Sequence, residues 1–196
     1  MAVLSPKRQA GTGSRSSTTR PRPDLPLILL ASLAAAATSP ARADDAQAVA
    51  AIESAYLTKF APFVEWPPTV DATMGPPTLC MVGDERIAGL TEAAEARLQP
   101  SGSRTIVRRL ATETSATGCQ ILFAGGPEGV AMASVPAAEP VLTVTNEATQ
   151  GHKGIVNFVI VDDRVRFEID DAEAARRGLR ISSKLLSLAV SVKPRA

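Results

Sequence analysis

The chain runs to 196 residues, with 21 Lys and Arg against 20 Asp and Glu, one His and two Cys, and a formal net charge of +1. So even a balance lacks the basic footprint of nucleic-acid binding, and a zinc site, which needs three or four His, Cys or acid ligands, is not expected where the single His is joined only by two Cys that read as a bridged pair. The length suits one domain of ordinary size.

In chain order, the first feature is a leader. Lys7, Arg8, Arg15, Arg20 and Arg22 lie in a stretch rich in Ser and Thr. An apolar run of 13 residues, Leu25 to Ala37, follows, and then the small-x-small motif Ala41-Arg42-Ala43. This order predicts a secretory signal peptide over residues 1–43, because 13 apolar residues fall short of the roughly 20 that a spanning helix needs. The alternative is an uncleaved N-terminal anchor. The leader has no adjacent arginine pair, and no Cys follows the apolar run as it would in a lipoprotein. Cleavage would leave a domain of residues 44–196. The leader takes six of the 21 basic residues and one of the 20 acidic ones, which leaves 15 against 19 and a net charge of −4.

Residues 46–66 predict a helix, since Val49, Ile52, Tyr56, Phe60 and Phe63 fall on one apolar stripe. Pro62 should kink or end it, and Trp66-Pro67-Pro68 certainly ends it. Leu79 to Val82 then reads as a strand, Gly83 as a turn and Asp84 as the cap of a following helix. Further strands are predicted at residues 104–110, 119–126 and 140–146, with Pro127 as a first helical residue. Both cysteines, Cys80 and Cys119, lie in the exported part. An even pair in an oxidising compartment predicts a disulfide, worth roughly 4 kcal/mol for a loop of this length in the chain-entropy model. Two buried free thiols are the alternative.

The stretch from Val156 to Asp170 poses the sharpest choice, because Asp162 and Asp163 stand together in its middle. Taken as a two-residue hairpin loop, they set Ile160 opposite Val165, Phe158 opposite Phe167 and Val156 opposite Ile169, so that one face is wholly apolar. A one-residue slip would destroy that match. The two acids therefore read as a solvated turn rather than a metal site, for nothing around them resembles a calcium loop. The tail predicts two helices. One spans about 172–177 and stops at Gly178. Ser182 caps the other, with Leu185, Leu186, Leu188, Ala189 and Val192 on its apolar face.

These elements predict the α/β class. The expected fold is a single layered domain whose mixed sheet of about five to six strands is flanked by helices, with a C-terminal β-hairpin followed by two helices. No catalytic constellation accompanies it. His152 lies alone between Gly151 and Lys153, and Lys184 has Ile181 three residues before it, where a penicillin-recognising Ser-x-x-Lys motif needs Ser. The glycines near 83 and 125 match neither dinucleotide nor Walker loops. An enzyme is not expected, and no cofactor or metal.

The segments AYLTKFAPFVEWP, LCMVGD, CQILFAG, VLTVTNE, GIVNFVIVDDRVRFEID and GLRISSKLLSLA, in this order, resemble the YfiR-like family of small exported bacterial proteins. The likeness covers nearly all of 46–192. It departs at Pro62, where the family more often keeps the helix going. It also lacks a second cysteine pair around Gly154 to Val161, so a redox switch resting on that pair is not carried over. The resemblance implies a non-catalytic periplasmic regulator. Such a protein binds the periplasmic sensor region of an inner-membrane diguanylate cyclase and represses cyclic di-GMP signalling, and hence biofilm formation. It also implies sequestration by an outer-membrane peptidoglycan-binding lipoprotein, and a possible homodimer. Phe60, Phe63 and Trp66 are the expected partner-binding residues, ordinary core being the competing reading of the same stripe. The alternative function is a periplasmic small-ligand-binding protein that feeds a membrane receptor, with its pocket at the strand ends near Gly83 and Gly125.

Overall fold

The computed structural model describes residues 40–71, 75–98, 105–111, 116–126, 139–146 and 152–195, all within one of the two units into which the chain divides, Thr38–Ala196. Helix α1 spans Pro40–Leu57 and ends earlier than the apolar stripe suggests. Pro62 has no N–H to donate to Thr58, and its ring clashes with that carbonyl. The chain therefore tightens into a 3₁₀ turn, Ala61–Phe63, and extends as β1, Val64–Glu65. A single turn, α2 (Pro68–Asp71), follows. Beyond it come β2 (Thr78–Val82), α3 (Glu85–Leu98), β3 (Ile106–Arg109), β4 (Ile121–Ala124) and β5 (Leu142–Thr145). Asp84 caps α3 as its sequence position predicts, its Oδ1 accepting the N–H groups of Arg86 and Ile87 at 3.0 Å each. The helix expected from Pro127 lies outside the described residues.

The hairpin forms in the predicted register. Strands β6 (Val156–Val161) and β7 (Arg164–Asp170) pair Val156 with Ile169, Phe158 with Phe167 and Ile160 with Val165. Asp162 and Asp163 form the turn, with φ of 49° and 56°. Positive φ at both central positions is the type I′ arrangement that matches the twist of paired strands. Helix α4 (Asp171–Arg176) is capped by Asp170, which accepts the Glu173 N–H at 2.8 Å. It stops at Gly178, whose φ of 73° suits a residue without Cβ.

The tail departs from expectation. Ser182 does cap a helix, but α5 (Ser183–Leu186) lasts one turn. Two further strands appear, β8 (Arg180–Ile181) and β9 (Ser191–Lys193). Strand β8 pairs antiparallel with β1 in a separate two-stranded sheet, and β9 adds to the main sheet parallel to β7. Val192, expected on a helix face, alternates with Ser191 and Val190 in strand period. Strand pairing with β7 overrides the local helical pattern.

The main sheet thus has seven strands, more than the five to six expected, in the order β3-β2-β4-β5-β6-β7-β9. Its first five strands in that order run parallel, β7 runs antiparallel to β6, and β9 follows β7. Central β4 is buried on both faces, as parallel strands covered on both sides are. One face carries Leu79, Met81, Ile121, Phe123, Leu142, Val144, Phe158 and Phe167, and packs under Ala50, Leu57 and Phe60 of the first segment and Ile87 and Ala88 of α3. The other face carries a smaller core of Cys80, Val82, Leu122 and Ala124 with Ala116, Cys119 and Val141. Gly154 crosses close to β5 on the way into β6, and a Cβ there would lie 2.6 Å from the Thr143 carbonyl oxygen.

Candidate partner surface and strand-end pocket

The aromatic stripe divides between core and surface. Phe60 is 1% exposed, with its ring stacked on Tyr56 and Phe158 and edge-on to Phe167. It has no face left for a partner, which corrects the expectation placed on it: the residues after Leu57 fold under the sheet, so Phe60 fills the core. Phe63 and Trp66 are half-buried, packed against the core and partly open. The indole Nε1 of Trp66 is buried and has no hydrogen-bond partner among the described residues. A buried donor in that state costs about 1–3 kcal/mol until an acceptor reaches it.

The backbone ties this segment to the tail. Val64 pairs with Ile181 and Glu65 with Arg180, and the Ser182 N–H donates to the Phe63 carbonyl oxygen at 2.9 Å. The tail then carries Leu188, Val190 and Val192 at 60%, 47% and 37% exposure, the last two on or beside edge strand β9. Sequence reasoning placed Leu188 and Val192 on a buried helix face and missed this surface. The alternation of Val190, Ser191 and Val192 was the signal that could have revealed it.

A second feature lies at the strand ends. Gly83 follows β2 and Gly125 follows β4, and the Gly125 N–H donates to the Val82 carbonyl oxygen at 2.9 Å. Beside them a cavity of about 250 Å³ is lined by α1 (Ala46, Val49, Ala50, Glu53), the start of α3 (Asp84, Arg86, Ile87), Asn146 and β6 (Phe158, Val159, Ile160). Glu53 is 4% exposed. The Asn146 amide bridges within this region: its Oδ1 accepts the Gly126 N–H at 3.3 Å and its Nδ2 donates to Glu53 Oε2 at 3.4 Å.

The cysteines lie far from chemistry but close to a cation. Cys80 and Cys119 are bonded, with Cα atoms 5.7 Å apart. Arg108 from the neighbouring edge strand holds Nη2 3.2 Å from Cys80 Sγ and 3.0 Å from Cys119 Sγ, while donating to the Thr117 carbonyl oxygen at 2.8 Å. His152, Asp162 and Asp163 are all exposed. Among the described residues no group of three or more His, Cys, Asp or Glu side chains is placed to hold a metal ion, and no helix is long and apolar enough to cross a membrane.

Around α4, ion pairs of Asp170 with Lys193 and of Glu173 with Arg176 and Arg177 shape the electrostatics. Burial works against ionisation of Asp170, but hydrogen bonds from Lys193 and from the Glu173 N–H outweigh it, and the carboxyl sits below its ordinary value. Glu173 behaves likewise: burial opposes its charge, and Arg176 and Arg177 more than offset that. These contacts hold β7, α4 and β9 together.

A comparison with protein-family models matches residues 50–190 to the model described as YfiR/HmsC-like. The match runs from within α1 to the residue before β9. No curated protein matches the sequence.

Proposed function

The chain belongs to the YfiR/HmsC-like family, and from that premise we propose that it is a non-catalytic periplasmic regulator of cyclic di-GMP signalling. In this reading residues 1–43 direct export and are removed, and the domain from residue 44 binds the periplasmic sensor region of a membrane-anchored diguanylate cyclase and represses it. An outer-membrane peptidoglycan-binding lipoprotein would sequester it in turn, and self-association into a homodimer belongs to the same reading. The observation that carries it is the family match across the α/β domain, since this family is regulatory and is known for periplasmic control of cyclic di-GMP signalling. The Cys80–Cys119 bond supports export, because disulfides persist in oxidising compartments.

The contact with the receptor falls, in this reading, on Phe63 and Trp66 together with Leu188, Val190 and Val192. These are the half-buried aromatics and exposed aliphatics that a partner would desolvate, and aromatic residues are enriched at such interfaces. Deleting the gene should raise cellular cyclic di-GMP, and the wild-type gene should restore it. A gene carrying L188E and V190E should fail to restore it although the protein folds, because both positions are exposed. Unchanged nucleotide levels on deletion would remove the cyclase-inhibitor reading. Full complementation by the double variant would remove the surface.

A further inference from the structure

The sheet face turned away from Phe158 and Phe167 carries a polar cleft beside α4. We propose that this cleft is a binding site for a small polar organic carboxylate, held by the Asn157 side-chain amide and the Lys153 and Lys193 ammonium groups. Strand β9 separates it from the receptor surface, since Ser191 and Lys193 turn to the cleft and Val192 turns the other way.

Strand register assembles the site. Thr145, Asn157, Glu168 and Ser191 stand in one row across β5, β6, β7 and β9. Lys153 reaches the border of this row from the approach to β6, and Arg176 from α4. The cleft measures about 490 Å³, within the roughly 300–1,000 Å³ of small-molecule sites. Its lining is polar apart from Gly154, Ile155 and Ile169, which favours a hydroxylated ligand over a hydrocarbon.

Asn157 is the group that points to a ligand. It is 5% exposed and lines the cleft. Its Oδ1 accepts the Thr145 hydroxyl at 2.8 Å, and the same hydroxyl accepts the Gly154 N–H at 2.9 Å. A threonine hydroxyl has one proton to give, and giving it to Oδ1 turns the amide nitrogen the other way, into the cleft. There Nδ2 has no acceptor among the described residues. A nearly buried donor is costly to leave unmade, so the site favours an occupant that brings an acceptor.

Charge sets the sign of that occupant. Lys153, Lys193, Arg176 and Arg177 outnumber the carboxylates of Glu168, Asp170 and Glu173 in the lining. Each carboxylate already accepts from a cation: Glu168 from Lys153, Asp170 from Lys193, and Glu173 from both arginines. A ligand ammonium would have to displace one of them. An anion need not, because a lysine ammonium carries three donors. Lys153 spends one on Glu168 Oε2 at 2.6 Å and Lys193 one on Asp170 Oδ2 at 2.9 Å. Both lysines are more exposed than buried, so their ammonium groups turn toward an occupant without repacking the core.

The test uses one hydroxylated six-carbon skeleton with three end groups: D-gluconate, D-glucitol and D-glucamine. In NMR titrations of the full chain, gluconate should shift the Asn157 side-chain amide and the Gly154 and Ser191 backbone amides saturably, with a Kd on the order of 1 mM. The alcohol and the amine should not. Asn157→Leu removes the donor and should weaken gluconate by about tenfold or more. Should that variant fail to fold, Lys153→Met at an exposed position should weaken gluconate by about tenfold and leave the rest of the spectrum in place. Binding of the alcohol or the amine as tightly as gluconate would overturn the carboxylate assignment. So would wild-type affinity in either folded variant, or no saturable shift by about 10 mM gluconate.

Discussion

Phe158 and Phe167 stand directly opposite each other across the β6–β7 hairpin, and each ring packs against both Tyr56 and Phe60 at centroid distances of 5.5 to 5.9 Å. The hairpin register therefore places the centre of the core. If one strand slipped by one residue against the other, its ring would turn away from Tyr56 and Phe60.

The turn that sets this register is not optimal. Asp162 and Asp163 both adopt positive φ, which Asp tolerates but Gly adopts at less steric cost. Asp163→Gly should raise stability by about 0.5 kcal/mol, because Asp-Gly is a preferred type I′ pair. Chemical denaturation of the variant reads it. A lower midpoint would mean that the Asp163 side chain stabilises the turn more than its backbone strains it.

The hairpin was legible in the sequence because a two-residue loop and a period of two leave one register that matches apolar with apolar. The caps at Asp84 and Ser182 were legible for a similar reason, since each acts within three residues. The tail was not. Leu185, Leu186, Leu188 and Ala189 carry helical spacing, and β9 exists only because β7, more than 20 residues earlier in the chain, offers it an edge. The stripe of Phe60, Phe63 and Trp66 showed which residues share a face, but spacing cannot tell which of them the chain tucks inward once Pro62 has broken the helix. The cavity at Glu53 needed α1, α3 and β6 to meet, and no local pattern announces that.

The disulfide joins the N-terminal half of the sheet to the segment before β4. Replacing both Cys80 and Cys119 by Ala releases a loop with a sequence separation of 39. The chain-entropy model assigns that loop roughly 4 kcal/mol, which for a domain of this size corresponds to about 10 °C in Tm. Thermal unfolding of the double variant checks it, and an unchanged melting curve would reject the entropic contribution. The Arg108 guanidinium against both sulfurs should persist on reduction, so its removal alone is expected to shift Tm by much less.

Acid should loosen the junction of β7, α4 and β9 first. Asp170 and Glu173 titrate below their ordinary values of 3.8 and 4.5 in the folded protein. A depressed folded value means that folding favours the ionised form. The stabilisation is therefore complete above about pH 4.5 and is lost as pH falls through the folded values. Urea midpoints should be flat from about pH 7 to pH 5 and drop below about pH 4. Lys193→Met removes the donor to Asp170 Oδ2 and should make the drop shallower. An acid limb identical to wild type would show that this ion pair is not among its causes.

Trp66 separates stability from recognition. Its Nε1 is a buried donor with no acceptor among the described residues, so it carries a desolvation cost that these residues do not recover. Trp66→Phe deletes the donor and keeps an aromatic ring. The lost indole area weakens packing, but loss of the orphan N–H offsets it, so Tm should stay within a few degrees of wild type. If the receptor supplies the missing acceptor, as the proposed surface requires, the same variant should bind it more weakly by about 1 kcal/mol or more. Cyclic di-GMP should then rise in cells that carry only this variant. A marked loss of Tm would mean that Trp66 is core in the ordinary sense. Normal Tm with normal repression would remove Trp66 from the contact and leave Leu188 and Val190 to carry it.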